Sequence, residues 1–133
     1  MVRCRGVRGA TTVDENSREA IVEATVELLT AMVRENDLLA DDVASAFFTT
    51  TPDINAEFPA LAAREALKWT NVAMLCGHEM SVPGSLPKCL RILLHANTEK
   101  RQDEIVHVYL KGARVLRSDL AEGEREIAAP HSI

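Results

Sequence analysis

The sequence predicts an α/β (α+β) fold in which a mixed sheet of about five strands packs against one long and one short helix. Short apolar segments rich in β-branched residues recur along the chain and are typical of strands. A long segment with apolar residues at helical spacing follows the first of them. The length of 133 residues, with 47% apolar and 26% charged residues, is typical of one globular domain. We place that domain at residues 1–120 and expect a mobile tail at residues 121–133.

The first strand and the long helix have the clearest patterns. Residues 2–10 read as a strand, and residues 14–35 as an amphipathic helix that ends at Asn36-Asp37. The predicted apolar stripe of the helix is Val22, Val26, Leu29 and Val33, flanked by Ile21, Leu28 and Met32. Thr12 with Glu15 is a candidate capping box at its start, and Asn16 is an alternative N-cap.

The remaining elements are shorter. Thr51-Pro52-Asp53 is a turn signal after the second strand, and Phe58-Pro59 opens the short helix, because proline is tolerated in a first turn. We predict strands at residues 43–50, 71–76, 89–97 and 104–110, and a helix from residue 58 to about residue 68. Residues 113–116 fit a strand or a helical turn equally well.

Composition excludes several classes of protein. The net charge of −5 argues against a general nucleic-acid surface. No apolar run approaches the roughly 20 residues of a membrane helix, and the N-terminus lacks a signal-peptide pattern. We therefore expect a cytoplasmic protein with neither nucleic-acid nor membrane partners. Three cysteines without a CxxC pair indicate neither a disulfide framework nor a zinc ribbon.

Two arginines, Arg8 and Arg91, lie in strands where the pattern calls for apolar side chains. Arg91 interrupts the apolar segment 89–94, and Arg8 shares a strand face with Cys4 and Gly6. A guanidinium group cannot lose its proton, and its burial without a partner is costly. The acidic residues are concentrated in residues 14–57, which carry eleven acids and two bases. These arginines therefore predict a bound anionic ligand.

Four residues in strands or near strand ends form the candidate site: Arg8, Glu79, Arg91 and Tyr109. Each arginine can bind one carboxylate through a two-pronged set of hydrogen bonds, so the pair suits a dicarboxylate. Tyr109 can donate a further hydrogen bond, and Glu79 can accept one from a ligand hydroxyl group. Alternatively, Glu79 only neutralises an arginine as a structural ion pair, and the spacing does not decide between the two interpretations.

Other chemistries have weaker support. The four histidines lack metal-ligand spacing. Cys76 and His78 lie close in sequence, but no third group that would orient a nucleophile and base is evident. The glycines near the N-terminus do not form a dinucleotide-binding fingerprint. We expect no cofactor and no metal.

Six motifs, in order along the chain, resemble those of the monofunctional bacterial chorismate mutases with a trimeric α/β fold. They are Arg5-Gly6-Val7-Arg8-Gly9-Ala10-Thr11-Thr12, Thr51-Pro52-Asp53 with Phe58-Pro59-Ala60, Cys76 with Glu79-Met80, Lys88-Cys89-Leu90-Arg91, His107-Val108-Tyr109-Leu110, and Val115-Leu116-Arg117-Ser118-Asp119-Leu120. The resemblance implies a pseudo-barrel homotrimer with active sites between subunits. It also implies conversion of chorismate to prephenate, the branch step toward phenylalanine and tyrosine.

The resemblance also implies a role for each site residue. Arg8 would bind a substrate carboxylate, Arg91 the ether oxygen and a carboxylate, and Glu79 the ring hydroxyl. The main chain at Cys76 would assist Glu79, and Tyr109 would hold the side-chain carboxylate. Phe58, Ala60 and Arg64 would line the cleft from the adjoining subunit, and Leu75 would belong to the cleft wall. Leu116 and Arg117 would belong to a C-terminal segment that closes over the site.

Two positions depart from the family pattern. Leu61 and Leu75 stand where relatives can carry a lysine and a threonine, respectively. The resemblance therefore does not define the chemistry of the cleft wall at these two positions. The alternative function is a non-catalytic or differently catalytic protein that binds small carboxylates on the same trimeric fold.

Overall fold

The computed structural model describes the main chain of residues 1–120 and the side chains of residues 1–116. Within this range the chain forms one five-stranded sheet and two α-helices. The strands are β1 (Arg3–Thr12), β2 (Val43–Thr50), β3 (Ala73–His78), β4 (Cys89–Thr98) and β5 (Val108–Tyr109). The helices are α1 (Arg18–Glu35), between β1 and β2, and α2 (Ala60–Glu65), between β2 and β3. The predicted α/β class and its mixed sheet are confirmed.

The strand order in the sheet is β3-β2-β4-β1-β5, so β4 is the central strand. It pairs antiparallel with both β1 and β2, while the two outer pairs, β2–β3 and β1–β5, are parallel. Main-chain hydrogen bonds therefore hold β4 on both sides. This makes its side chains the most firmly positioned in the sheet.

One face of the sheet carries the hydrophobic core. Val7, Phe48 and Leu94 are fully buried on this face, together with Leu28 and Met32 of α1. Burial of side chains of this size contributes roughly 1.5–3 kcal/mol each to stability. At Gly9 of β1 the helix lies so close that a Cβ atom would overlap the thioether of Met32. The long helix therefore covers this face, and the opposite face is left for other contacts.

The start of α1 differs from the prediction. Its N-cap is Ser17, whose Oγ accepts a hydrogen bond from the Ala20 N–H at 3.2 Å. Neither the capping box of Thr12 with Glu15 nor an N-cap at Asn16 forms. Asn16 instead accepts hydrogen bonds from the main chain of the loop before α2. The predicted end of the helix at Asn36 is confirmed.

The predicted apolar stripe of α1 is also wrong. Val22, Val26 and Val33, three of its four residues, are only half-buried. The buried residues are Ile21, Ala24, Thr25, Leu28, Leu29, Ala31 and Met32. Thr25 fits this face because its hydroxyl donates to the Ile21 carbonyl at 2.7 Å, so the burial leaves no unsatisfied hydroxyl. A hydropathy pattern counts threonine as polar, so it does not predict the burial of a hydroxyl that is hydrogen-bonded within its own helix.

Other element bounds shift in the second half of the chain. α2 is shorter than the predicted helix, and β3 begins and ends later than the predicted strand. β5 has only two residues, and Gln102–Glu104 form a 3₁₀-helix that includes the predicted start of the strand. Lys111–Leu120 form a 3₁₀-helix, which decides the open choice at residues 113–116 in favour of helical structure. The predicted tail at residues 121–133 lies outside the described residues.

Candidate active site

Three of the predicted site residues lie on the sheet face opposite α1. In the strand register, Arg8 of β1 lies opposite Leu93 of β4, and Ala10 of β1 lies opposite Arg91. Tyr109 of β5 lies opposite Ala10 on the other side of β1. Residues that lie directly opposite one another point to the same face of a sheet. Arg8, Arg91 and Tyr109 therefore share one face across three adjacent strands.

Glu79 joins this group from the end of β3. Its N–H donates to the carbonyl of Thr50 at 2.8 Å and extends the β2–β3 pairing by one step. Its carboxylate oxygen Oε2 accepts a hydrogen bond from the hydroxyl of Thr49. The same oxygen lies 3.7 Å from Nε of Arg91. Thr49 was not a predicted site residue, although it follows from the register, since it lies opposite Arg91.

These side chains line a cleft of about 340 Å³. Its lining residues are Arg8, Phe47, Thr49, Glu79, Arg91, Ile92 and Leu93. We call it the arginine cleft. It combines two guanidinium groups and one carboxylate with apolar walls, a setting in which the low local polarity strengthens interactions with charge.

Arg91 has unused hydrogen-bonding capacity within this cleft. Its Nε atom is buried and has no hydrogen-bond partner among the described residues. The distance of 3.7 Å to Glu79 is that of an ion pair and is too long for a hydrogen bond. Glu79 therefore does form an ion pair with Arg91, as the structural interpretation of this residue expects. This ion pair does not satisfy the Nε–H donor of Arg91, because a buried donor still needs a hydrogen-bond acceptor.

A second cleft, also of about 340 Å³, lies beside α2. Its lining residues are Thr50, Ile54, Asn55, Ala56, Glu57, Phe58, Pro59, Cys76, Gly77 and His78. We call it the helix cleft. The side chain of Phe58 at its edge is 68% exposed, which is unusual for a phenylalanine. Exposed aromatic surface beside a cleft is typical of a binding wall.

Cys76 lines the helix cleft, and Ala60 and Arg64 lie close to its thiol. Burial raises the pKa of the Cys76 thiol, while a hydrogen bond from the Ala60 main chain and the charge of Arg64 act to lower it. The thiol therefore stays protonated near neutral pH and is a poor nucleophile. Arg64 is exposed, and no carboxylate lies within ion-pair distance of it in the described part of the chain. Arg64 is therefore available to a further anion.

Leu61, Leu75, Tyr109 and Leu116 line neither cleft. Leu75 is 64% exposed and lies on the same sheet face as the arginine cleft, opposite Phe47. Tyr109 is fully buried with Ala10 and Ala113, and Leu116 packs against this cluster. Leu61 is half-buried in α2, and the side chain of Arg117 lies outside the described residues.

The predicted site is therefore divided within one chain. Arg8, Glu79 and Arg91 line the arginine cleft, whereas Phe58 and Cys76 line the helix cleft, and the two linings have no residue in common. Local patterns alone do not indicate this division, because a motif shows its spacing along the chain and not the face on which it lies. The family resemblance implied it, since it assigned Phe58, Ala60 and Arg64 to the adjoining subunit.

The described residues offer little to a metal ion or to a membrane. No cluster of three or more His, Cys, Asp or Glu side chains suited to metal binding occurs in residues 1–116. In the same part of the chain, no helix has the length and apolar character needed to cross a bilayer.

Comparison with known proteins identifies the family. A family model for chorismate mutase type I matches residues 4–120. Chorismate mutase AroH of Bacillus subtilis (strain 168) is 44% identical over 117 residues, which cover 88% of this chain and 92% of that protein. Chorismate mutase AroH of Thermus thermophilus is 44% identical over 121 residues, covering 90% and 98%, respectively.

A solved structure agrees with these sequence matches. The chorismate mutase from Clostridium thermocellum superimposes with a TM-score of 0.81 and 49% sequence identity, and the match covers 83% of this chain and 97% of that one. Fold, sequence and family model all point to the same activity. The chain therefore belongs to the chorismate mutase type I family and is a chorismate mutase, an isomerase of aromatic amino-acid biosynthesis.

Proposed function

We propose that the chain rearranges chorismate to prephenate in a site that one protomer's arginine cleft and a neighbour's helix cleft form together. The observation that supports this proposal most directly is the buried Nε of Arg91, a charged donor without a hydrogen-bond acceptor among the described residues. It lies in a cleft with a second arginine and a carboxylate. Chorismate carries two carboxylates and an ether oxygen, which suit the two guanidinium groups, and a ring hydroxyl, which suits the carboxylate.

Each side chain in the arginine cleft has a defined role in this proposal. Arg8 binds one carboxylate, and Arg91 binds the ether oxygen and a carboxylate, because a guanidinium offers donors in a planar fork. Glu79 accepts from the ring hydroxyl through the carboxylate oxygen that Thr49 does not occupy. Tyr109 supports the side-chain carboxylate, and Leu116 and Arg117 belong to a segment that closes over the site.

These groups suffice because the reaction is an intramolecular pericyclic rearrangement. No proton has to move and no covalent intermediate forms, so the protonated thiol of Cys76 is no obstacle. The enzyme must hold the compact reactive conformer of the substrate, which lowers the entropic part of the barrier. It must also stabilise negative charge on the ether oxygen as the bond breaks, and a preorganised donor of this kind contributes roughly 3–4 kcal/mol.

A homotrimer accounts for the division into two clefts. The sheet face that carries the arginine cleft also exposes apolar side chains: Phe47 is 38%, Leu93 36% and Leu75 64% exposed. Such a patch on a central sheet is typical of a surface that another chain covers. A neighbour's α2 and the residues just before it would then bring Phe58, Ala60 and Arg64 to the arginine cleft. In this arrangement the uncharged Leu61 and Leu75 contribute shape to the cleft wall and no hydrogen bonds.

The division between protomers can be tested with mixed trimers. One variant, Arg91→Ala, damages the arginine cleft, and the other, Arg64→Glu, damages the helix cleft. Co-expression with two different affinity tags allows hybrid trimers to be purified, and turnover follows from the loss of chorismate ultraviolet absorbance. If each site takes its two clefts from different chains, about a third of the sites in the purified hybrid trimers are intact. Each variant alone should be nearly inactive.

Two results would contradict the proposal. If hybrids gain no activity over either variant, the two clefts do not combine across chains. If the native chain binds chorismate in a calorimeter but does not turn it over, the chain is a carboxylate-binding protein on this fold. Sedimentation of the native protein tests the trimer independently. A cytoplasmic location stays a prediction from composition.

A further inference from the structure

His107 contacts the main chain of Arg8 through an unusual hydrogen bond. The Arg8 N–H donates to Nδ1 of the His107 ring at 3.0 Å, across 99 residues of sequence. A strand N–H normally donates to a neighbouring strand's carbonyl group. Here a side chain takes the place of that carbonyl at the residue that carries a site guanidinium.

The register of β1 with β5 explains why. Ala10 lies opposite Tyr109, and the Leu110 N–H donates to the Ala10 carbonyl at 2.9 Å. Continued parallel pairing would send the Arg8 N–H to the carbonyl of Val106, two residues before Val108. The strand has already ended there, since β5 comprises only Val108–Tyr109.

Asn36 is the residue that ends the pairing. Its side-chain amide, which follows the last turn of α1, donates to the Val106 carbonyl at 2.9 Å and accepts from the Val106 N–H at 2.8 Å. It also donates to the Met32 carbonyl at 2.8 Å, so both amide hydrogens are used. Asn36 is 1% exposed. The carbonyl that Arg8 would use is therefore held by a buried amide.

We propose that His107 is a positioning residue for Arg8: its Nδ1 atom replaces the missing strand carbonyl and fixes the main chain from which the guanidinium extends. This inference rests on the role of Arg8 in substrate binding proposed above. Nδ1 can accept only when it carries no proton, so the ring is neutral with its hydrogen on Nε2. The order of contacts is Asn36 to Val106, then His107, then Arg8. It links the end of α1 to the arginine cleft.

Isosteric variants of His107 separate positioning from general stability. His107→Asn places an amide oxygen where Nδ1 was, so it keeps an acceptor for the Arg8 N–H. His107→Gln is the matched control, because its longer side chain places the amide near the Nε2 position. His107→Leu removes both. We expect His107→Leu and His107→Gln to raise the KM for chorismate about tenfold with smaller changes in kcat, and His107→Asn to stay within about threefold of native values.

A double-mutant cycle with Arg8→Ala completes the test. If His107 acts through Arg8, adding His107→Leu to Arg8→Ala lowers kcat/KM by less than about twofold, since the group to be positioned is gone. Circular dichroism of every variant reports folding. A failure of Arg8→Ala itself to raise KM would overturn the substrate-binding role of Arg8. If Arg8→Ala does raise KM, two results would refute the positioning role alone. In the first, the double variant loses the full product of the two single effects on kcat/KM. In the second, His107→Asn raises KM as much as His107→Gln does.

Discussion

Replacement of Arg91 by alanine should separate catalysis from stability. The Arg91–Glu79 pair is partly exposed, at 25% and 29% of the side-chain surfaces, and its 3.7 Å separation exceeds a hydrogen bond. Such pairs contribute at most about 1 kcal/mol to stability. Glu79 keeps its hydrogen bond from Thr49 in the variant, so no carboxylate is left unpaired. We therefore expect the free energy of unfolding to fall by about 1 kcal/mol.

The effect on turnover should be much larger. A donor aimed at the breaking ether bond contributes roughly 3–4 kcal/mol to transition-state stabilisation. At about 1.4 kcal/mol per factor of ten, its loss lowers kcat by about 10²- to 10³-fold. Arg91→Lys should recover only part of this, because an ammonium group lacks the planar fork of donors.

The assay follows chorismate absorbance at saturating substrate, with urea unfolding as the measure of stability. The matched control is Arg101→Ala, which removes an arginine that is 71% exposed and paired with nearby Asp103. It should leave kcat unchanged. If Arg91→Ala turns over within about threefold of the native enzyme while folded, the assignment of the ether oxygen to Arg91 is wrong.

Three further predictions concern the fold. Gly9→Ala should lower the unfolding free energy by roughly 1–3 kcal/mol in denaturant titration, because the new Cβ overlaps the thioether of the fully buried Met32; an unchanged midpoint would mean that the end of the Met32 side chain can move aside. Ser17→Ala should cost about 1 kcal/mol through the lost N-cap, whereas Ser17→Asp should cost little. The Thr51 hydroxyl, which donates to Asp53 at 2.5 Å, lowers the pKa of Asp53 below its usual 3.8. The stabilisation by Asp53 is thus complete above its unfolded pKa and lost as the pH falls through the lower folded value. The Tm difference between native and Asp53→Asn proteins should be full at about pH 6 and should disappear only as the pH falls well below 3.8, through the lower folded pKa.

The alternation of side chains along single strands predicted part of the arginine cleft. The side-chain period of a strand is two, so a single strand assignment places Arg91 on a face without knowledge of its neighbours. The same logic placed Arg8 on the strand face of Cys4 and Gly6, and the register shows that this is the face shared with Arg91. Helix faces proved harder to predict in α1, because the buried hydroxyl of Thr25 is satisfied by its own helix and escapes a hydropathy count.

Contacts between residues far apart in the sequence could not be predicted from such patterns. His107 bonds to Arg8 across 99 residues, and nothing in the spacing of either motif indicates the contact. The shortening of β5 has the same origin, since the amide of Asn36 takes both main-chain groups of Val106 across 70 residues. The division of the site into two clefts likewise depends on which sheet face each strand end presents.

The placement of Arg91 on the central strand matches what this chemistry demands. Charge stabilisation is effective only when the donor is already in position and does not have to reorganise during the reaction. β4 pairs on both sides with long strands, so its main chain at Arg91 is fixed by β1 and β2. α2, by contrast, is a helix of six residues whose contribution to the proposed site is a wall. The centre of the sheet therefore supplies the charge, and the short helix supplies the shape of the site. Substitutions at Phe58 should affect KM most, and substitutions at Arg91 should affect kcat most.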